Sequence, residues 1–167
     1  MPVWGIAMDK PKANLEPPRF ENRNAFLIAG TTARYNNQRV EGIPAQWQKF
    51  MPYIGKVPGQ VGTTSYGVCF NFDDAGNMDY MCGVEVPEGT ALPPELGLLA
   101  IPEHRWAVFV HRDHISKIKA TWRAIFGQWM PASGYKPARG PQLEAYVGNF
   151  NPQTGHGEVE IWIPITQ

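Results

Sequence analysis

The residues best placed to do chemistry stand near the end of the chain, in Gln142-Leu-Glu-Ala-Tyr-Val-Gly-Asn-Phe150. As a strand, this run alternates Glu144 and Tyr146 on one face with Leu143, Ala145 and Val147 on the other. A carboxylate beside a phenol supports two chemistries: an anionic receptor for a cation, or a general base with a proton donor at its side. Against solvent, Glu144 is an ordinary surface residue. Out of water, its charge is costly unless a cation or several donors meet it. The chain has rings enough to enclose it, since aromatics make up 12% of the residues and ring faces attract cations within about 6 Å.

Other chemistries lack their signatures. No G-x-S-x-G elbow is present, and neither cysteine, Cys69 or Cys82, lies in a recognisable Cys/His setting. His104, His111, His114 and His156 show no H-E-x-x-H or H-x-H spacing, so no metal site is expected. Gly55–Gly62 lacks the Lys-Ser/Thr pair and the following helix of a phosphate loop, and no cofactor is expected. Fifteen Lys+Arg balance fifteen Asp+Glu with no basic stripe, which argues against direct nucleic-acid binding and against an anionic membrane surface. With no run of 18 apolar residues and no signal-peptide pattern at Met1–Met8, the default expectation is a cytoplasmic protein.

The elements that must position Glu144 read as a repeat. Its strand, with Glu158-Val-Glu-Ile-Trp-Ile-Pro-Ile165, forms a hairpin whose fainter earlier copy is Ser65–Phe72 with Met78–Val86. Each copy follows a Trp-containing amphipathic segment ending in Met-Pro, at Pro52 and Pro131. The first helix opens at Ile43-Pro44 and carries Trp47, Phe50, Met51 and Ile54 at helical spacing. The second runs from about His114 to Trp129, with Ile115, Ile118, Trp122, Ile125, Phe126 and Trp129 on one stripe, Lys117, Lys119 and Arg123 on the solvated side, and Pro131 as its stop. Strands are expected at Ala25–Ala29, closed by Gly30, and at Trp106–His111. A tight turn at Ala75-Gly76 sets Cys69 opposite Cys82, two free thiols in a reducing compartment. Aligning Phe72 with Phe150 makes Tyr66 the repeat partner of Glu144.

Ile43-Pro-Ala-Gln-Trp47, Tyr66-Gly-Val68, Met78-Asp-Tyr-Met-Cys-Gly-Val-Glu85, Ile101-Pro-Glu-His-Arg-Trp-Ala-Val-Phe109, Trp129-Met-Pro-Ala-Ser-Gly-Tyr135, Leu143-Glu-Ala-Tyr146 and Glu158–Ile165 stand in an order and spacing that resembles the GyrI-like, AraC-type effector-binding domains over about residues 20–165. The resemblance implies an α+β fold of two βαββ repeats with pseudo-two-fold symmetry, antiparallel sheets and a ligand cavity between the halves. It also implies that Glu144 is the pocket glutamate and that Trp47 faces the cavity.

The chain is therefore expected to have an N-terminal arm (1–18) and one domain (19–167) with halves 19–88 and 95–167. Its expected function is to bind amphipathic, cationic small molecules as a stand-alone protein, any DNA-binding or protein partner being separate. Glu144 supplies charge, Tyr146, Trp47, Tyr66, Trp122 and Phe126 supply walls, and Phe50 closes one end. The alternatives are a hydrolase using Glu144 as general base and a gyrase-inhibitor-like interaction module.

Overall fold

A computed structural model describes residues 15–167, so most of the expected N-terminal arm (1–14) lies outside the described residues. Nine strands follow in chain order: β1 (Arg19–Arg23), β2 (Phe26–Asn36), β3 (Ser65–Phe70), β4 (Asn77–Val86), β5 (Gly97–Ile101), β6 (His104–His111), β7 (Lys136–Pro137), β8 (Gln142–Tyr146) and β9 (Val159–Thr166). Helix α1 (Ile43–Phe50) leads into a 3-10 turn, Met51–Tyr53. The second helical stretch starts as a 3-10 turn, Ile115–Lys117, and continues as α2 (Ile118–Ala124), a π-helical segment (Ile125–Trp129) and α3 (Met130–Ser133). Pro131 therefore does not stop this helix. It sits in the first turn after the wide π segment, where its missing donor is not needed. The helix ends at Gly134, whose φ of 81° is the left-handed cap that glycine takes without strain.

All pairings are antiparallel, in the order β1-β6-β9-β8-β3-β4-β2-β5, with β7 on the far end of β9. Read outward from the β8–β3 junction, both directions give the hairpin partner, then the strand before the helix, then a strand from the other half. That order is consistent with the repeat. The two outermost strands depart from the expected halves. β1 precedes β2 in the chain yet pairs with β6, while β5 precedes β6 yet pairs with β2. Each half is thus laced to the other.

Two further expectations are corrected. The run at Ala25–Ala29 does not close at Gly30, because β2 passes straight through it. A Cβ there would lie 1.8 Å from the Cys82 carbonyl oxygen, so glycine permits a close approach within the sheet. In the β3–β4 hairpin, Asn71 takes a positive φ of 53° and adds a residue before the Asp73–Asn77 turn. That residue, together with a turn centred on Ala75 instead of between Ala75 and Gly76, slips the register by two: Cys69 faces Tyr80 and Cys82 faces Gly67. Both thiols are free and buried.

The sheet has two buried faces. One carries the helices over Cys69, Tyr80, Cys82, Val84, Phe109, Ile161 and Ile163. The other encloses Ile28, Tyr66, Val68, Trp106, Val108, Leu143 and Trp162. Curvature makes the second core possible. Arg23 on β1 donates to Glu85 on β4 at 2.7 Å, although five strand spacings of about 4.8 Å would separate those strands by about 24 Å in a flat sheet.

Candidate functional site

On β8 the alternation puts Leu143 and Ala145 into the helix-free core and Glu144 and Tyr146 under the helices. Glu144 is 2% exposed at the middle of the sheet, between Gly67 of β3 and Ile161 of β9. Three neutral donors reach it. The Trp122 indole donates to Oε2 at 3.0 Å. The hydroxyls of Tyr146 and Tyr80 donate to Oε1 at 2.9 and 3.2 Å. Tyr80 in turn accepts from the Trp47 indole at 3.0 Å.

Each donor is held by its own element. Gln46 of α1 donates to the carbonyls of Thr31 and Tyr80, both at 2.9 Å, and accepts from the Tyr35 hydroxyl at 2.8 Å, pinning the turn that carries Trp47. The buried His111 ring does the same for α2. Its Nε2 lies 2.9 Å from the His114 carbonyl, which can only accept. Its Nδ1 lies 2.6 Å from Thr121 Oγ1, one residue before Trp122. Tyr80 reaches Glu144 because position 67 is glycine. A Cβ there would lie 2.1 Å from the Tyr80 hydroxyl and 3.1 Å from Glu144 Oε1.

Burial raises the carboxyl of Glu144 above its ordinary value, and the bonds from Trp122, Tyr146 and Tyr80 offset part of that rise. Burial, reinforced by Glu144, pushes the Tyr80 and Tyr146 hydroxyls well up, so both remain proton donors. The Cys69 and Cys82 thiols are raised for the same reasons and stay protonated.

Above this group lies a cavity of ≈ 730 Å³. Ile43, Pro44 and Trp47 of α1 form one wall with Met51 and Ile54; Ile115 and Ile118 form another; Phe150 and Pro152 of the β8–β9 loop form a third. Glu144, Tyr80 and Tyr146 lie at its floor, and Glu41 and Lys119 also line it. Lys119, expected among solvated charges, thus faces the cavity. The walls contain edge-to-face rings: Tyr146 packs on Trp47 at 5.1 Å and on Phe150 at 5.0 Å.

The structure brings Glu144, Tyr146 and Trp47 together. Trp122 contributes its N–H to the carboxylate but is not among the residues lining the cavity. Phe126 stacks behind it with ring centroids 6.2 Å apart. Phe50 is fully buried and packs edge-on behind Trp47 at 6.3 Å, supporting the wall without closing the cavity. Tyr66 is corrected: it lies on the opposite sheet face, beside Phe26 and Arg23. An even-numbered repeat offset of 78 placed it opposite Glu144. The residue of β3 that shares Glu144's face and pairs with it is Gly67, and a one-residue slip turns every side chain to the other face. Tyr80 and Gly67 belong to the candidate site and were not among the residues expected from the sequence. For Tyr80 the signal was the alternation Met78-Asp-Tyr-Met-Cys82, which puts Tyr80 and Cys82 on one face; Gly67 carried none.

Comparison with known proteins bears on this cavity. A family described as the GyrI-like small molecule binding domain matches residues 16–166. The transcriptional regulator BrlR of Pseudomonas aeruginosa is 28% identical over 149 residues, 88% of this chain and 54% of that protein. A DNA gyrase inhibitor of Erwinia billingiae is 31% identical over 83 residues, 50% of this chain and 51% of that protein. The chain thus spans about half the length of the curated relatives it matches. Among solved structures, SAV2435 bound to tetraphenylphosphonium superposes with a TM-score of 0.73 at 16% identity, covering 90% of this chain and 94% of that one.

Proposed function

The chain belongs to the GyrI-like small molecule binding domain family, and from that premise we propose that its ligands are amphipathic cations held over Glu144 by the aromatic walls of the cavity. One observation carries the reading. A carboxylate 2% exposed is met by three neutral donors, Trp122, Tyr80 and Tyr146, and faces a largely apolar space. Neutral donors spread its charge without cancelling it, and burial keeps the field strong, so the group offers its best return to an incoming cation. Apolar walls reward the rest of such a ligand by removing its surface from water. The tetraphenylphosphonium bound by SAV2435, a lipophilic cation, supports the same reading. The zero net charge provides no general attraction to nucleic-acid phosphates, so a transcriptional output such as that of BrlR would pass through a separate DNA-reading segment or partner.

The test compares tetraphenylphosphonium with triphenylphosphine oxide, an uncharged aryl analogue, by quenching of tryptophan fluorescence in the wild type and Glu144→Gln. A charge about 6–10 Å away at an effective dielectric of about 20 contributes roughly 1.5–3 kcal/mol. Glu144→Gln is therefore expected to weaken the cation about ten- to a hundredfold and the neutral compound far less. Equal losses for the two compounds, or no loss for either, would overturn the reading.

A further inference from the structure

The donors to Glu144 are not equivalent. Trp122 and Tyr146 reach it directly, but Tyr80 is itself the second member of a relay: Trp47 Nε1–H to Tyr80 Oη at 3.0 Å, then Tyr80 O–H to Glu144 Oε1 at 3.2 Å. Trp47 lies on the cavity wall, whereas Tyr80 is fully buried and its ring occupies space that any side chain at position 67 would take. We infer that Tyr80, seated on Gly67, is the positioning residue that couples the α1 wall of the cavity to the charge state of Glu144, and so sets the preference of the site for charged over neutral ligands. The inference rests on the cation-binding reading above.

The physical basis is the direction of each bond. An indole N–H can only donate, so with Trp47 in place the Tyr80 oxygen is already accepting and its proton is turned to the carboxylate. That arrangement favours the ionised acid. A protonated Glu144 finds no acceptor among these three partners unless the Tyr80 or Tyr146 hydroxyl turns its own proton away. Tyr80 also donates more strongly while it accepts, because bonds in a chain polarise one another. A ligand that shifts Trp47 therefore alters the proton affinity of Glu144 without touching it.

Among the described residues, the other titratable or charged groups around Glu144 are few. They are Cys69 from β3, Cys82 from β4, Tyr146 from its own strand, and Glu41 and Lys119 along the cavity; β9 presents Ile161. Both cysteines remain protonated and supply no competing charge.

The experiment follows the carboxyl stretching band of Glu144 by infrared difference titration of the ligand-free protein, assigned with Glu144→Gln. Loss of one bond to a charged acceptor corresponds to about one to two pH units. Tyr80→Phe should raise the protonation midpoint by that amount. Trp47→Phe should raise it by less, and should add nothing in the Tyr80→Phe background. An unmoved midpoint in Tyr80→Phe overturns the relay, as does a Trp47→Phe shift of equal size with and without the hydroxyl. Tetraphenylphosphonium titrations on the same variants separate this from the function. If the midpoints shift as stated and no cation binds, the ligand reading fails while the relay holds. If cations bind and the midpoints do not move, the relay fails alone.

Discussion

At Glu144 the proposed function opposes stability. Its carboxyl is raised above the ordinary carboxylate value by burial in the folded state, so the folded protein binds more protons than the unfolded chain between the ordinary value and the raised one. Stability is then greatest below the ordinary carboxylate value and is lost as pH rises through the folded one. Glu144→Gln removes this titration. The variant is expected to lose less stability than the wild type between acidic and neutral pH, and to match or exceed its melting temperature at neutral pH. Scanning calorimetry across that range checks both; a wild type that gains more stability than the variant on the way to neutral pH would mean the three donors outweigh burial. The proposed cation binding would have the opposite pH dependence. A bound cation lowers the Glu144 value, so affinity weakens as pH falls and binding releases protons where the free protein is partly protonated.

Element α1 is placed less by its own propensity than by one side chain. Eight residues make a marginal helix on their own, and no side chain caps its start at Gly42. Gln46 supplies what is missing by bonding two strand carbonyls and the Tyr35 hydroxyl. Gln46→Leu retains the packing volume and leaves those polar groups unpaired. It should cost about 2 kcal/mol, the penalty for stranding buried hydrogen-bonding groups, read from the urea midpoint. It should also weaken tetraphenylphosphonium by releasing Trp47 from its relay. The second helix shows the same dependence on anchors, through His111 and Thr121, and its π segment carries the chain through Pro131 without a break.

For the molecule as a whole, the exchange of β1 and β5 between the halves has a thermodynamic consequence. Neither half owns its outer strand, so neither should unfold alone, and far-UV and tryptophan probes should report one coincident transition. Arg23 holds the curl closed, paired to Glu85 at 2.7 Å and lying 3.5 Å over the Phe26 ring. Arg23→Ala should destabilise by about 1 kcal/mol, as expected for a partly exposed ion pair with a stacked ring. Two transitions in the wild type would show that the lacing does not couple the halves.

The sequence by itself determined the local grammar. Alternation put Glu144 and Tyr146 on one face, helical spacing marked Trp47 and Trp122, and the ordered motifs pointed to the GyrI-like family and its two-part α+β fold. These are properties of neighbours in the chain, and periodicities of 2 and 3.6 carry them. Tertiary structure alone decided what lies across from what. The turn and the extra residue at Asn71 slipped the hairpin register by two, and the β3–β8 register put Gly67 rather than Tyr66 on the face of Glu144. Pairing of β1 with β6 curled the sheet into a second core, and Tyr80 became the partner of Glu144 from a strand two places away. Such relations depend on register between segments distant in sequence, where a shift of one residue inverts every side chain, and no local pattern specifies that shift.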